Sequence, residues 1–202
     1  MTVEPRGAPI LNRRSDRREV IVEAATSVFA HLGYAGASLR ELAAAAGIEK
    51  GHLTYYFPTK EALLFEIIND LHNRFLGGKR QWTQAGPPGD ALLVQVFSQH
   101  VELVIDSTEA TRVAYDNFRF LRGSRRITII SHRAEYERLL AELIDSCRVA
   151  STVVDLSTRL LSKTVLAQLN WPYQWYSPDG SLTPQDLART LSTRALASLR
   201  PI

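Results

Sequence analysis

Between Ser38 and Lys60 the chain reads SLRELAAAAGIEKGHLTYYFPTK, and no other stretch leaves so little choice of local structure. Ser38 suits a helix N-cap, and Glu41 three residues later completes an S-x-x-E capping box, which satisfies two orphan backbone N–H groups reciprocally. Leu42, Ala43 and Ala46 then supply a short apolar face. Gly47 follows, and its missing Cβ permits the sharp turn that ends a helix. Ile48 can plug the angle between this helix and the next. A second short helix is expected over 50–57. Pro58 ends it, because proline restricts the residue before it and has no N–H to donate. Two short helices joined by a glycine-containing turn are the geometry that lays the second helix in a DNA major groove.

The second helix carries chemistry suited to that position. Gly51 lets a backbone approach closely, while Lys50, His52, Thr54, Tyr55 and Tyr56 offer donors and flat rings along the exposed side. Leu53 and Phe57, four apart, are left to face a core. Phosphate oxygens accept hydrogen bonds from Thr and Tyr hydroxyls, from Lys and from helix N-termini. Thr59 is expected to cap the following helix, placing Lys60 near one strand's backbone. Arg40, Lys50 and His52 are the candidates for base edges, with phosphate contact as the alternative for Lys50. Glu49 either caps the second helix or discriminates against wrong bases.

The segment 38–63 resembles the DNA-binding signature of the TetR family of bacterial transcriptional regulators. The matching features are the hydroxyl residue opening the first helix, Leu42-Ala43, Ala46-Gly47-Ile48, Lys50-Gly51, Leu53, Tyr55-Tyr56-Phe57, Pro58-Thr59-Lys60-Glu61 and Leu63. Thr54 departs from the pattern, since the family usually carries a phosphate-bonding tyrosine there. Threonine keeps a hydroxyl but loses reach, leaving Tyr55 or Tyr56 to compensate. The resemblance implies an all-α protein with an N-terminal three-helix DNA-binding head, followed by a helical ligand-binding and dimerisation body. It implies a flexible basic arm over 1–14, a helix-turn-helix domain over 15–60 and the body over 61–202. It also implies DNA contacts by Ser38, Arg40, Lys50, Gly51, His52, Thr54, Tyr55, Tyr56 and Lys60, a homodimer on a palindromic operator, and no cofactor.

Composition agrees with such a protein. The 202 residues, 45% of them hydrophobic, can bury a sizeable core. The single Cys147 cannot form an intrachain disulfide, which suits a reducing cytoplasm, and it reads as a small buried hydrophobe rather than a redox sensor. No apolar run approaches the roughly 20 residues of a membrane span, and the first residues lack a secretory h-region. The net charge of +3 does not by itself indicate nucleic acid. Its distribution says more: Arg6, Arg13, Arg14, Arg17 and Arg18 make a basic segment, which is either a solvated tail or an arm touching phosphates or the minor groove.

Helical periodicity and breakers organise the rest. A first helix is expected over 16–32, capped by Ser15 or Asp16 and ended by Gly33. Others are expected over 59–76, over 91–106 with Asp90 as cap, over 109–121 with Thr108 as cap, and over 126–148. One more should fill most of 153–176, kinked at Pro172, and a last runs over 184–199 behind Thr183 and Pro184. That makes about nine helices and no sheet. The stretch 170–188, NWPYQWYSPDGSLTPQDLA, is similar to the C-terminal end of TetR-like repressors that control lipid, steroid or acyl-CoA degradation.

A body beyond the head has two jobs. One is dimerisation, because a two-fold pair reads half-sites about 34–36 Å or a multiple apart. Val154, Leu160, Leu161, Val165, Leu187, Leu191, Ala195 and Leu199 serve either that interface or the core. The other is sensing, in an apolar cavity with a few polar groups. Phe97, His100, Tyr115, Phe118, Arg119, Tyr136 and Trp171 are the candidate lining, against ordinary core packing for each aromatic. Arg119 would meet an anionic effector, or pair with Asp116. The expected function is a repressor released by a small hydrophobic or acyl-CoA-like effector, with a ligand-dependent activator as the alternative. An enzyme is disfavoured: a di-iron bundle needs paired Glu-x-x-His motifs, and only Glu49–His52 has that spacing.

Overall fold

A computed structural model describes residues 10–78, 82, 88–147 and 157–200, with the backbone alone for 10–15. Among these residues there are nine helices and no strand. They are α1 (Ile10–Gly36), α2 (Leu39–Ala45), α3 (Lys50–Tyr56), α4 (Lys60–Gly77), α5 (Asp90–Asp106), α6 (Thr108–Asn117), α7 (Gly123–Ser146), α8 (Thr158–Asn170) and α9 (Pro184–Ala197). A 3₁₀ turn, Phe118–Phe120, follows α6, and a single helical turn, Pro172–Trp175, follows α8. None of the described helices is long and apolar enough to cross a membrane.

Several starts and stops lie where local chemistry put them. Gly33, at φ 70°, interrupts α1 near its end. Thr59 caps α4 by accepting from Ala62 N–H at 3.0 Å, and Thr183 caps α9 through Asp186 N–H at 3.1 Å with Pro184 in the first turn. Other boundaries moved. Helix α1 begins at Ile10, so 10–14 of the expected flexible arm is helical, as Leu11, Arg13 and Arg14 are good helix formers. Residues 1–9 lie outside the described set. Asp90 does not cap α5; it sits inside the helix and pairs with Arg200. Thr108 likewise starts α6 from within, its hydroxyl donating back to Ile105 O at 2.7 Å. Pro172 does not kink a continuous helix but opens a separate turn, where its missing N–H costs nothing.

Two cores fill the molecule. The first joins Ile21, Ala25 and Phe29 of α1 to Leu42, Leu53, Phe57 and the α4 residues Leu63, Leu64 and Ile67. It does not stop at residue 60: Val113 and Ala114 of α6, Leu121, and Ile129 of α7 belong to it. The second packs α5, α7, α8 and α9 around Phe97, Leu140, Val165 and Ala195. Phe75, on α4, touches both. The ambiguous apolar residues sort accordingly. Leu161, Val165, Leu187, Ala195 and Leu199 point inward, Leu191 is half-buried, and Leu160 is 45% exposed. Val154 lies outside the described residues.

Candidate nucleic-acid interface and effector cavity

The head is assembled as local rules require. Glu41 N–H donates to Ser38 Oγ at 3.2 Å, and Ser38 N–H donates to Glu41 Oε2 at 2.7 Å, which closes the capping box. Hydrogen bonding from the Ser38 side chain, and then from the Ser38 backbone N–H, holds the Glu41 carboxyl below its ordinary value. Gly47 takes φ 64°, and Ile48 N–H reaches Ala43 O at 3.0 Å across the turn. Leu53 and Phe57 are buried, which turns the opposite face of α3 outward.

On α3, Lys50, Gly51 and His52 are exposed and Tyr55 is 66% exposed, and on α2 Arg40 is exposed as well. Ser38 is exposed too, its hydroxyl engaged as an acceptor in the capping box. Thr54 is half-buried, its hydroxyl donating to Gly51 O at 3.0 Å. Tyr56 packs against the head core, its ring edge-on to Tyr55 at 5.3 Å. Glu49 precedes α3 without a side-chain capping bond. Nothing within the chain demands glycine at 51: its φ is not positive and an added Cβ would meet no atom within 4 Å.

Lys60 is placed differently from expectation. Its ammonium donates to Tyr34 O at 2.6 Å and Ala37 O at 2.7 Å, and stands 4.4 Å from the Tyr34 ring centroid. Tyr34 lies in the last turn of α1 and Ala37 just past its end, where carbonyls have no helical partners of their own. Lys60 therefore pins α4 to the α1–α2 turn, leaving one of its three N–H donors for other partners.

Adjoining the head is a cavity of about 320 Å³ lined by five helices. Helix α4 contributes Leu71, His72 and Phe75; α5, His100; α6, Thr111, Ala114 and Tyr115; α7, Arg133, Tyr136 and Glu137; and α8, Lys163, Leu166, Ala167 and Asn170. His100, Tyr115 and Tyr136 are thus gathered as the sequence suggested. The other four candidates do not line it. Phe97, one helical turn from His100, is fully buried in the body core. Phe118 lies behind the wall, beneath the Arg133 guanidinium at 4.2 Å from its centroid. Arg119 faces solvent over the Phe120 ring, without Asp116 as an ion-pair partner. Trp171 is 59% exposed, because the chain leaves helix α8 at that point.

A neutral hydrogen-bond chain crosses one end. Tyr136 O–H donates to His100 Nδ1 at 2.8 Å, His100 Nε2–H to Asn170 Oδ1 at 3.1 Å, and the Asn170 amide to Leu166 O at 2.7 Å. Burial brings His100 down to about 4 and pushes the Tyr136 hydroxyl up, so both are uncharged near neutrality. At the other end His72, also lowered to about 4 chiefly by burial, donates from Nδ1 to Ile68 O at 2.7 Å and accepts from Arg133 Nε at 3.1 Å. Arg133 donates as well to Ala114 O at 3.1 Å. Sequence reasoning missed Arg133, His72, Thr111 and Asn170. The usable signal was spacing: Arg133 and Tyr136 share a face of α7, three residues apart.

Polar and ring contacts tie the cavity helices to the head. Tyr34 N–H donates to Asn117 Oδ1 at 2.8 Å, and the Tyr34 ring stacks on Phe120 at 4.8 Å. Arg122 N–H donates to Glu61 Oε1 at 2.8 Å. Asn117 and Phe120 continue directly from the cavity-lining helix α6.

A helix-turn-helix head presenting exposed basic and aromatic groups, fused to a helical body around a cavity, defines a class of DNA-binding regulator. Comparison with known proteins gives the family. The profile described as "Bacterial regulatory proteins, tetR family" matches residues 21–67, and "Tetracyclin repressor-like, C-terminal domain" matches residues 86–199. The chain belongs to the TetR family and is a DNA-binding transcriptional regulator. It is 26% identical over 182 residues to the HTH-type transcriptional repressor KstR2 of Rhodococcus jostii, covering 87% of each chain. Its fold is similar to that of the ketosteroid transcriptional regulator KstR2 of Mycobacterium tuberculosis, with TM-score 0.81, 20% identity and coverage of 92% and 96%. It is similar also to AibR solved with isovaleryl coenzyme A and operator DNA, with TM-score 0.78, 24% identity and coverage of 92% and 98%.

Proposed function

We propose that the protein is a homodimeric repressor that leaves a palindromic operator when a small effector enters the five-helix cavity. The observation carrying this is the seam: the cavity-lining helix α6 ends in Asn117, which holds the backbone of Tyr34 at the base of the head. A ligand that shifts α6 acts on the head through that bond and through α4, which reaches from the cavity to Thr59. A coupling of about 1–3 kcal/mol loosens DNA roughly 5- to 150-fold.

In this reading residues 15–60 form the reading unit. Arg40, Lys50 and His52 meet base edges, while Ser38, Thr54, Tyr55 and Tyr56 meet phosphates. Gly51 belongs with them, being open on its outer side and unneeded for the fold. Lys60 is chiefly a pin, with at most one donor for phosphate. Residues 61–202 form the sensing and pairing unit, with the exposed Leu160, Trp171 and Trp175 available to a second copy. The protein works in the cytoplasm, where its DNA is, and catalyses no reaction. An acyl-CoA or lipid-like acid effector is favoured by the KstR2 and AibR relatives, since one is a ketosteroid regulator and the other was solved with isovaleryl coenzyme A.

Gel-shift titration of upstream intergenic DNA, with and without candidate acids and thioesters, tests the reading. Release by ligand is expected. Tighter binding with ligand would make the protein an activator or corepressor-dependent regulator, and no preference for any fragment at moderate salt would refute the proposal.

A further inference from the structure

We infer that the cavity takes its effector as an organic anion, held by the guanidinium of Arg133 and the hydroxyl of Thr111. This rests on the proposed sensing role and adds the chemistry of the ligand.

Arg133 is the first observation. Its hydrogen-bond acceptors are neutral, His72 Nε2 and Ala114 O, and among the described residues no carboxylate lies within ion-pair distance. A buried or half-buried guanidinium without a counter-charge is costly, and an incoming anion relieves that cost. A second guanidinium, Arg126, flanks the same Phe118 ring from 4.5 Å, so the local potential is positive. The acid on the wall, Glu137, is already paired with Lys163 at 3.3 Å and Arg159 at 3.5 Å.

Thr111 is the second and independent observation. Its side chain lines the cavity and is 1% exposed, yet its hydroxyl has no hydrogen-bond partner among the described residues. A buried hydroxyl left unsatisfied costs about 1–3 kcal/mol. Thr111 stands one turn before Ala114, whose carbonyl receives Arg133, and all three line the cavity. The rest of the lining offers Phe75, Leu166 and the self-satisfied His100–Asn170 pair to an uncharged, mostly apolar remainder. At about 320 Å³ the cavity is at the small end of the roughly 300–1,000 Å³ range of ligand sites, which suits a compact acid rather than a whole CoA thioester.

Calorimetric titration of the full chain with phenylacetate and octanoate, each beside its amide, and with phenylacetyl-CoA, tests this. The acids are expected to bind at least about 10-fold more tightly than the amides, as charge-assisted bonds exceed neutral ones. Arg133→Met should bring an acid to the level of its amide while leaving the amide unchanged. Thr111→Val, nearly isosteric and breaking no internal bond, should weaken the acid about 5- to 10-fold. Should Arg133→Met fail to fold, Thr111→Val still decides. Equal binding of acid and amide, no binding of either acid at millimolar concentration, or acid binding indifferent to both substitutions overturns the inference. So does binding confined to the thioester. Acid bound through Arg133 without operator release would instead refute the proposed release mechanism and leave the anion site standing.

Discussion

The head and the body are built from the same kind of helix, yet they hold their polar groups in opposite ways. In the head the side-chain bonds that shape the helix-turn-helix act within a few residues: Ser38 with Glu41, Thr59 with Ala62, Thr54 with Gly51. Lys60, bonded to Tyr34 O and Ala37 O, is the longer-range pin. In the body the informative bonds run between distant helices. Tyr136 meets His100 at 36 residues' separation, Arg133 meets His72 at 61, and Asn117 meets Tyr34 at 83. The contrast separates two tasks. A surface that must fit a rigid duplex is specified locally, whereas a cavity that must respond to a ligand needs groups from several elements at once.

Predictions that probe this contrast run from large effects to small. Phe97→Ala, in the fully buried body core, should cost about 3–5 kcal/mol in urea unfolding, because a cavity remains where the ring packed. If head and body unfold as one unit through their shared core, α1 and α9 probes will report the same midpoint. Separate midpoints would break the comparison in favour of independent domains.

Acidification comes next. Above 6.5 both the folded and unfolded chains hold His100 neutral; between 6.5 and about 4 only the unfolded chain takes up the proton. Stability should therefore fall as pH drops through that window, by about 3 kcal/mol from this residue, and level off below it. Urea midpoints at several pH values check it, and a flat profile would show that the Tyr136–His100–Asn170 chain does not persist in solution.

Lys50→Ala should weaken operator binding by about 1–3 kcal/mol and relax preference at one position, with the melting curve unchanged. Lys60→Met should do the reverse, lowering head stability through the lost bonds to Tyr34 O and Ala37 O more than it flattens the salt dependence of binding. A salt slope reduced by a full unit with normal stability would restore Lys60 to the phosphate backbone. Gly51→Ala is the smallest perturbation to the fold. It should stabilise α3 by about 0.5–1 kcal/mol and yet weaken DNA binding, since its outer side is open only in the free protein.

How much was legible follows from the same contrast. The capping box, the Gly47 turn, the Pro58 stop and the Thr59 and Thr183 caps could be read because each is a local competition for orphan backbone groups. Asp90 and Thr108 misled because capping residues also occur inside helices when another partner, Arg200 or Ile105 O, engages the side chain. Among the cavity candidates, His100, Tyr115 and Tyr136 were found through their aromatic and amphipathic character. Phe97 and Trp171 have that character too, but one is buried in the body core and the other faces solvent. Arg133 was passed over because an arginine on a polar helix reads as a surface residue, until Phe118 and Ala114 are seen packed around it.

The amino-acid order alone therefore determined the reading head, its turn and its outward chemistry, because interactions spanning three or four residues decide them before any long-range contact forms. Only the tertiary structure decided which aromatics line the cavity, that Lys60 is a pin, and that Thr111 and Arg133 share one cavity. Those outcomes depend on how five helices from separate parts of the chain pack, and packing direction is set by the whole core rather than by any one segment.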